Sequence, residues 1–199
     1  MQSRTGTGVP LRVIADPRPQ PAIPSAVLGM GMFVFSEAML FAGLMSAFAI
    51  ARAGSLLGWP PAGQPRLPAE ETAINTGALL LSGIVLWYAG RAHKREQRSA
   101  AAPMLAALTL ATFFVAFQGF EWVQLLGQGL RMTSSQHGAF FYLIIGIHGL
   151  HCVAAILSLG WAYRRLRSGV LAPSTFQAVR VFWYFVVGLW PILYWRVYF

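Results

Sequence analysis

The sequence predicts an all-α integral membrane protein, a bundle of five transmembrane helices with its N-terminus cytoplasmic and its C-terminus outside. Three observations carry this reading. First, of 199 residues 56% are hydrophobic and only 11% charged, with a mean hydropathy of +0.56. A soluble domain carries about 25% charged residues, so this chain lacks the polar material to cover a water-facing surface. Second, the few charges leave long apolar windows: Pro19 to Ala51 holds only Glu37, Thr72 to Gly90 none, Ser99 to Leu130 only Glu121, and Met132 to Tyr163 none. Each can cross a hydrocarbon core about 30 Å thick, which takes roughly 20 apolar residues in a helix. Third, the basic residues alternate between connectors. Arg4, Arg12 and Arg18, then Arg91, Lys94, Arg95 and Arg98, then Arg164, Arg165, Arg167 and Arg180 fall on one side, against Arg52, Arg66, Arg131 and Arg196 on the other. Eleven against four is the positive-inside pattern, and it orients the chain.

The net charge of +9 does not describe a nucleic-acid surface. Such a surface gathers its basic residues on one solvated face, whereas here they occupy short connectors between apolar windows.

Residues 1–25 include Pro10, Pro17, Pro19, Pro21 and Pro24 without an apolar h-region, which predicts an extended, proline-rich cytoplasmic arm rather than a cleavable signal. Residues 26–199 form the transmembrane domain, with helices expected at about 26–51, 72–90, 103–126, 137–163 and 177–197. Helix one carries a small-residue ladder, Ala38, Ala42 and Ser46, with Gly43, Ala47 and Ala51 on the adjoining row. This period lets two helix backbones approach closely in lipid. Helix two opens with Glu70, Glu71 and Asn75, acidic residues suited to the positive end of the helix dipole. Helix three can begin at Pro103, whose missing N–H costs nothing in a first turn. Its Gln118, Glu121, Gln124 and Gln128 share one face, which is not expected to look at lipid. Helix four places His148 and His151 one turn apart. Helix five is the shortest window, 15 residues from Val181 to Trp195, and spans only with Arg180 and Arg196 snorkelling to opposite interfaces. It ends in an aromatic belt, Trp190, Tyr194, Trp195, Tyr198 and Phe199, with Pro191 as an expected kink.

The chemistry-bearing residues are few. Glu37 and Glu121 lie at depths where an ionised side chain costs at least about 2.5 kcal/mol, so each is neutral, paired or facing a wet cavity. Two readings stand open for both: a proton-handling or ligand-orienting carboxylate, or a protonated, hydrogen-bonded packing residue. His148 and His151 share a face, but a di-iron bundle needs about four carboxylates with Glu-x-x-His pairs, and neither intramembrane glutamate has a histidine three residues on. The pair therefore reads as a polar tie between helices, with no metal on this chain. Cys152 is the only cysteine, which leaves no disulfide and no paired thiolate. No Ser/His/Asp set or phosphate-cradling glycine loop is present. A five-helix bundle with these groups is an accessory subunit, a carrier or a channel.

The segment Phe35-Ser36-Glu37-Ala38-Met39-Leu40-Phe41-Ala42-Gly43, the Asn75-Thr76 pair, Gln118 with Glu121, and Gly146-Ile147-His148-Gly149-Leu150-His151 run in an order that resembles subunit III of the haem-copper oxidases. The resemblance covers almost the whole chain after the proline arm, and the span count is similar to the short bacterial form. It implies an accessory subunit in the bacterial cytoplasmic membrane that carries no haem or copper, packs on the catalytic subunit I that does, encloses phospholipid, and supports proton entry and durability during turnover. Glu37 matches the family's buried, carbodiimide-labelled carboxylate, His148 and His151 its histidine pair on helix four, and Glu121 the acidic position on the helix before that pair. Glu37, His148 and His151 are also candidate lipid contacts. Helix five departs from the pattern: Trp183-Tyr184-Phe185-Val186-Val187 stands where the family has Trp-His-Phe-x-Asp. That departure leaves room for a nitric oxide reductase accessory subunit of the same superfamily. A small channel or transporter built on Glu37 and Glu121 is the reading from a different class.

Overall fold

A computed structural model describes residues 23–199 other than 57 and 62. The arm expected over residues 1–25 lies almost entirely outside the described residues. Five helices follow: α1 (Ser25–Ala53), α2 (Ala69–Arg95), α3 (Ala101–Gly127), α4 (Gln136–Arg167) and α5 (Pro173–Tyr198). All five are long and apolar enough to cross a membrane, and no strand occurs among the described residues.

Four of the five helices run past their charge-poor windows, α3 staying inside its own, and the reason is electrostatic. Such a window stops at the first charge, whereas a helix can carry charges on its last turn when their sign suits the dipole. His93, Lys94 and Arg95 close α2 and Arg164, Arg165 and Arg167 close α4, opposite the negative C-terminal ends. Glu70 and Glu71 occupy the first turn of α2. Ser135 caps α4, its hydroxyl accepting from the Gly138 N–H at 3.0 Å. Pro173 stands in the first turn of α5. At the other ends of α3 and α4, Gly129 (φ 93°) and Gly169 (φ 72°) take left-handed backbone. There the Leu130 N–H reaches the Leu125 carbonyl and the Val170 N–H the Arg165 carbonyl, both at 3.0 Å. This six-residue closure stops a helix while satisfying its last carbonyls.

The helix that looks weakest in the sequence is the hub of the bundle. α5 packs on α4, α1 and α2, and it buries Trp183, Val186, Trp190 and Leu193 completely. Its window is short because Arg180 and Arg196 stand inside the helix. It continues as helix through Pro191 to Tyr198. α2 lies along α3, and α3 also meets α4. Phe114 of α3 packs edge-on against Trp190 at 5.0 Å between centroids.

α1 sits at the margin, touching only α4 and α5 among the helices. Phe41 and Phe48 are its only buried residues. Ala38, Ala42, Gly43, Ser46 and Ala47 all lie on its exposed side. A Cβ at Gly43 would meet nothing within 4 Å, so the small-residue ladder makes no close helix crossing within this chain. The close approaches occur elsewhere. A Cβ on Gly83 of α2 would stand 3.1 Å from Val187 Cγ1 of α5, and one on Gly138 would collide with the Arg131 backbone carbonyl.

That last contact is backbone against backbone and has no flexible side chain to give way. Gly138→Ala is therefore expected to destabilise the α3–α4 junction by about 1–3 kcal/mol, read as a lower thermal unfolding midpoint in detergent, whereas Gly43→Ala leaves the midpoint unchanged.

Candidate functional site

The polar residues inside the bundle fall into two clusters. In the first, α1 brings Glu37 against α4. His148 and His151 are three residues apart on α4, and the turn of the helix separates their directions enough that each meets a different neighbour. His151 faces α1: its Nε2 lies 3.0 Å from Glu37 Oε2, and its Nδ1 lies 2.7 Å from the Ile147 carbonyl. The carbonyl can only accept, so Nδ1 carries its hydrogen. The Nε2–Oε2 contact then holds one proton, on whichever partner. Imidazolium with carboxylate and imidazole with carboxylic acid both leave the pair with zero net charge. This removes the cost of a lone charge from a pair whose side chains are 12% and 18% exposed. It is the only ion pair among the described residues. Phe41 covers it, edge-on to His151 at 5.5 Å and to His148 at 6.3 Å.

His148 turns toward α5. It is fully buried, stacks on Trp190 with centroids 5.0 Å apart and planes at 27°, and places Nε2 3.3 Å from Cys152 Sγ. The two histidines thus diverge rather than offering two nitrogens to one point. Among the described residues no three His, Cys, Asp or Glu side chains converge.

The second cluster lies where the start of α2 meets the ends of α3 and α5. Glu121 is 2% exposed. The Thr72 hydroxyl lies 3.0 and 3.1 Å from its two oxygens, and Gln118 Nε2 donates to Oε2 at 2.6 Å. Gln118 Nε2 also reaches the Tyr198 hydroxyl at 3.4 Å. One turn along α2, the Trp190 indole N–H donates to Thr76 Oγ1 at 2.8 Å, and the Thr76 hydroxyl donates to the Thr72 carbonyl at 2.7 Å. Asn75 Nδ2 donates to the Phe114 carbonyl at 3.1 Å, and the Tyr194 hydroxyl to the Ala69 carbonyl at 2.7 Å. Helices α2, α3 and α5 are therefore tied by hydrogen bonds that the surrounding apolar phase cannot supply.

The structure splits the glutamine face of α3. Gln118 and Glu121 are buried, while Gln124 and Gln128 are exposed. Gln128 follows the last helical residue, Gly127, and Gln124 sits one turn before it. At that height an amide reaches the headgroup region, so burial is not required. The sequence does not single out Thr72, and it places Trp190 and Tyr198 in an interfacial belt, whereas the structure brings them with Thr76 into this buried cluster. Two threonines four residues apart, flanking Asn75 in an otherwise apolar helix, were the signal available.

Comparison with known proteins places this geometry. A family model described as cytochrome c oxidase subunit III matches residues 22–199. The chain is 29% identical over 177 residues to a protein of Nocardia farcinica named "probable cytochrome c oxidase subunit 3", covering 86% of each chain. A protein of the same printed name from Mycobacterium leprae is 28% identical over 199 residues, with 98% of this chain and 95% of the relative covered. Cytochrome c oxidase subunit 3 of Rhizopus stolonifer is 32% identical over 179 residues, 86% of this chain but 63% of the fungal protein. The chain thus spans nearly the full length of the two bacterial relatives and under two thirds of the fungal one.

The proton shared by Glu37 and His151 predicts how substitutions combine. Glu37→Ala and His151→Ala are expected to show a coupling energy of about 1–3 kcal/mol in a double-mutant cycle of unfolding in mixed micelles. Glu37→Gln, whose amide can donate to Nε2, is expected to cost less than about 1 kcal/mol. Additive single effects would show that the two side chains act independently.

Proposed function

Because this chain belongs to the cytochrome c oxidase subunit III family, we propose that it packs on the catalytic haem-copper subunit of a respiratory oxygen reductase and supports proton uptake and turnover stability there. It is an accessory subunit of a haem-copper oxidase and a multi-pass membrane protein. The haem and copper belong to the partner subunit, and the membrane is the bacterial cytoplasmic membrane, in keeping with the matching length of the bacterial relatives.

The observation that carries the docking role is the outward face of α1. Its small-residue ladder finds no partner helix inside the chain, and small residues at this spacing are how helices meet closely in lipid. Proton handling falls to Glu37. A carboxyl sharing one proton with an imidazole near the middle of a span can pass that proton on and take another while the pair's charge changes by one unit at a time. Glu121 is held by three side-chain contacts from Thr72 and Gln118 and serves as a structural tie. His148 serves packing. Phospholipid contacts are assigned to the Glu37–His151 side of the bundle, where both side chains keep partial exposure.

The departure in helix five has a local explanation. Tyr184 accepts hydrogen bonds from Arg180 Nε and Nη2 at 3.3 and 3.1 Å, and Val187 fills the crossing against Gly83. The polar contact of that helix is made one turn toward its start, between its own residues. The relatives' printed names support oxygen rather than nitric oxide as the partner's substrate. The channel reading is disfavoured because Glu37 and Glu121 are held in separate clusters by different helices.

A blue-native gel of solubilised membranes is expected to show the chain comigrating with a haem-containing subunit, and migration as a free monomer would overturn the reading. In the assembled complex, Glu37→Gln is expected to leave haem content intact. It should lower proton-coupled turnover, or shorten its duration, by about twofold or more, within the range that loss of a proton-transfer group spans.

A further inference from the structure

The end of the bundle that carries the α1–α2 loop holds a cleft that neither polar cluster explains. Two cavities of about 650 and 410 Å³ adjoin there, sharing Arg52, Trp59 and Phe199 as walls. Arg196 of α5 lines the first, and Arg66 of the loop with His137 of α4 lines the second. No Asp or Glu lines either.

Three features of this cleft point to one kind of occupant. The first is an excess of positive charge. Arg52 donates from Nη2 to the main-chain oxygen of Phe199, the last residue of the sequence, at 2.7 Å, which engages that guanidinium and leaves Arg66 and Arg196 to be offset. Arg66 and Arg196 make no ion pair among the described residues. Like charges gathered around low-dielectric walls repel unless an anion lies between them. The second is His137, which is 97% buried, being 3% exposed, and has no partner for Nδ1 or Nε2 among the described residues. Buried ring nitrogens are normally bonded, and Trp59 offers His137 only an edge-on ring at 5.2 Å. The third is where these arginines come from. The charge pattern leaves only four basic residues for this side of the membrane, and three of them meet at this cleft.

We propose that the cleft binds a phosphate group, carried either by an anionic phospholipid headgroup or by a free phosphate. Guanidinium forks match phosphate oxygens two at a time, so Arg66 and Arg196 would clamp from either side of Arg52. A small adjustment of the His137 ring brings one N–H to the same anion. Tyr198 lines the second cavity and also touches Gln118, so an occupant there would lie one side chain from the Glu121 cluster. This site shares no residue with the Glu37–His151 pair and does not rest on the oxidase reading.

The test uses the detergent-solubilised, delipidated complex, titrated in a calorimeter separately with inorganic phosphate, short-chain phosphatidylglycerol and short-chain phosphatidylcholine. The variant is Arg66→Gln with Arg196→Gln, two exposed side chains without hydrogen-bond partners among the described residues, so the fold is expected to stand. Saturable binding of phosphatidylglycerol alone, weakened about tenfold or more in the variant and by raised salt, identifies a lipid headgroup. Saturable binding of inorganic phosphate with the same dependence identifies a free anion. Binding that is equal for phosphatidylcholine, unchanged in the variant, or absent for all three probes overturns the proposal. His137→Phe provides a second reading: it is expected to weaken binding severalfold while leaving its salt dependence in place.

Discussion

A hydrocarbon core supplies no hydrogen-bond partner, and that constraint organises this molecule. Most polar side chains placed inside the bundle find a partner on another helix, on their own helix or on the backbone. The way those partners are distributed decides which helices hold together. Thr72, Asn75 and Thr76 commit α2 to α3 and α5 through Glu121, the Phe114 carbonyl and Trp190. Glu37 commits α1 to α4 through a single histidine. The apolar contacts then fill in around these ties, and in lipid they discriminate less between partners than they would in water, because the surrounding tails are as apolar as the core.

The two clusters differ in how tightly they bind their carboxyl. Glu121 is buried where α2, α3 and α5 meet, with two polar atoms, Thr72 Oγ1 and Gln118 Nε2, within 3.1 Å. Glu37 has one partner and keeps some exposure at the edge of the bundle. Two glutamates that look alike in the sequence thus sit in different surroundings, one held by several contacts inside the bundle and one at its margin with a single partner.

Much of the fold was legible because charge in a membrane chain is sparse and therefore informative. The apolar windows located all five spans. What could not be read was long-range. Glu37 and His151 are 114 residues apart, and no local pattern says that these two, rather than Glu37 and His148, share a proton. The ladder on α1 advertises a close crossing, yet among the described residues a close crossing is found at Gly83 against Val187, and Gly138 packs on the α3–α4 connector. A small residue states only that an approach is sterically allowed, not which partner makes it. The rank of α5 was misleading for a different reason. Its window is cut short by Arg180 and Arg196, and the distance between two charges says nothing of how much of a helix faces protein.

The marginal position of α1 also bears on the order in which the molecule can be made. It is the first helix to leave the ribosome, yet its contacts are with α4 and α5, the last two. Through most of synthesis it must wait in the bilayer with Phe41 and Phe48 against lipid and with Glu37 lacking its histidine. Meanwhile α2 and α3, neighbours in sequence, can already associate. The chain therefore closes from α2 and α3 outward, and its first helix gains a partner only once α4 has been made. Any factor that shelters a nascent membrane protein would have to hold this one helix for the longest time, and a chain cut short before α4 would strand a lone glutamic acid in the membrane.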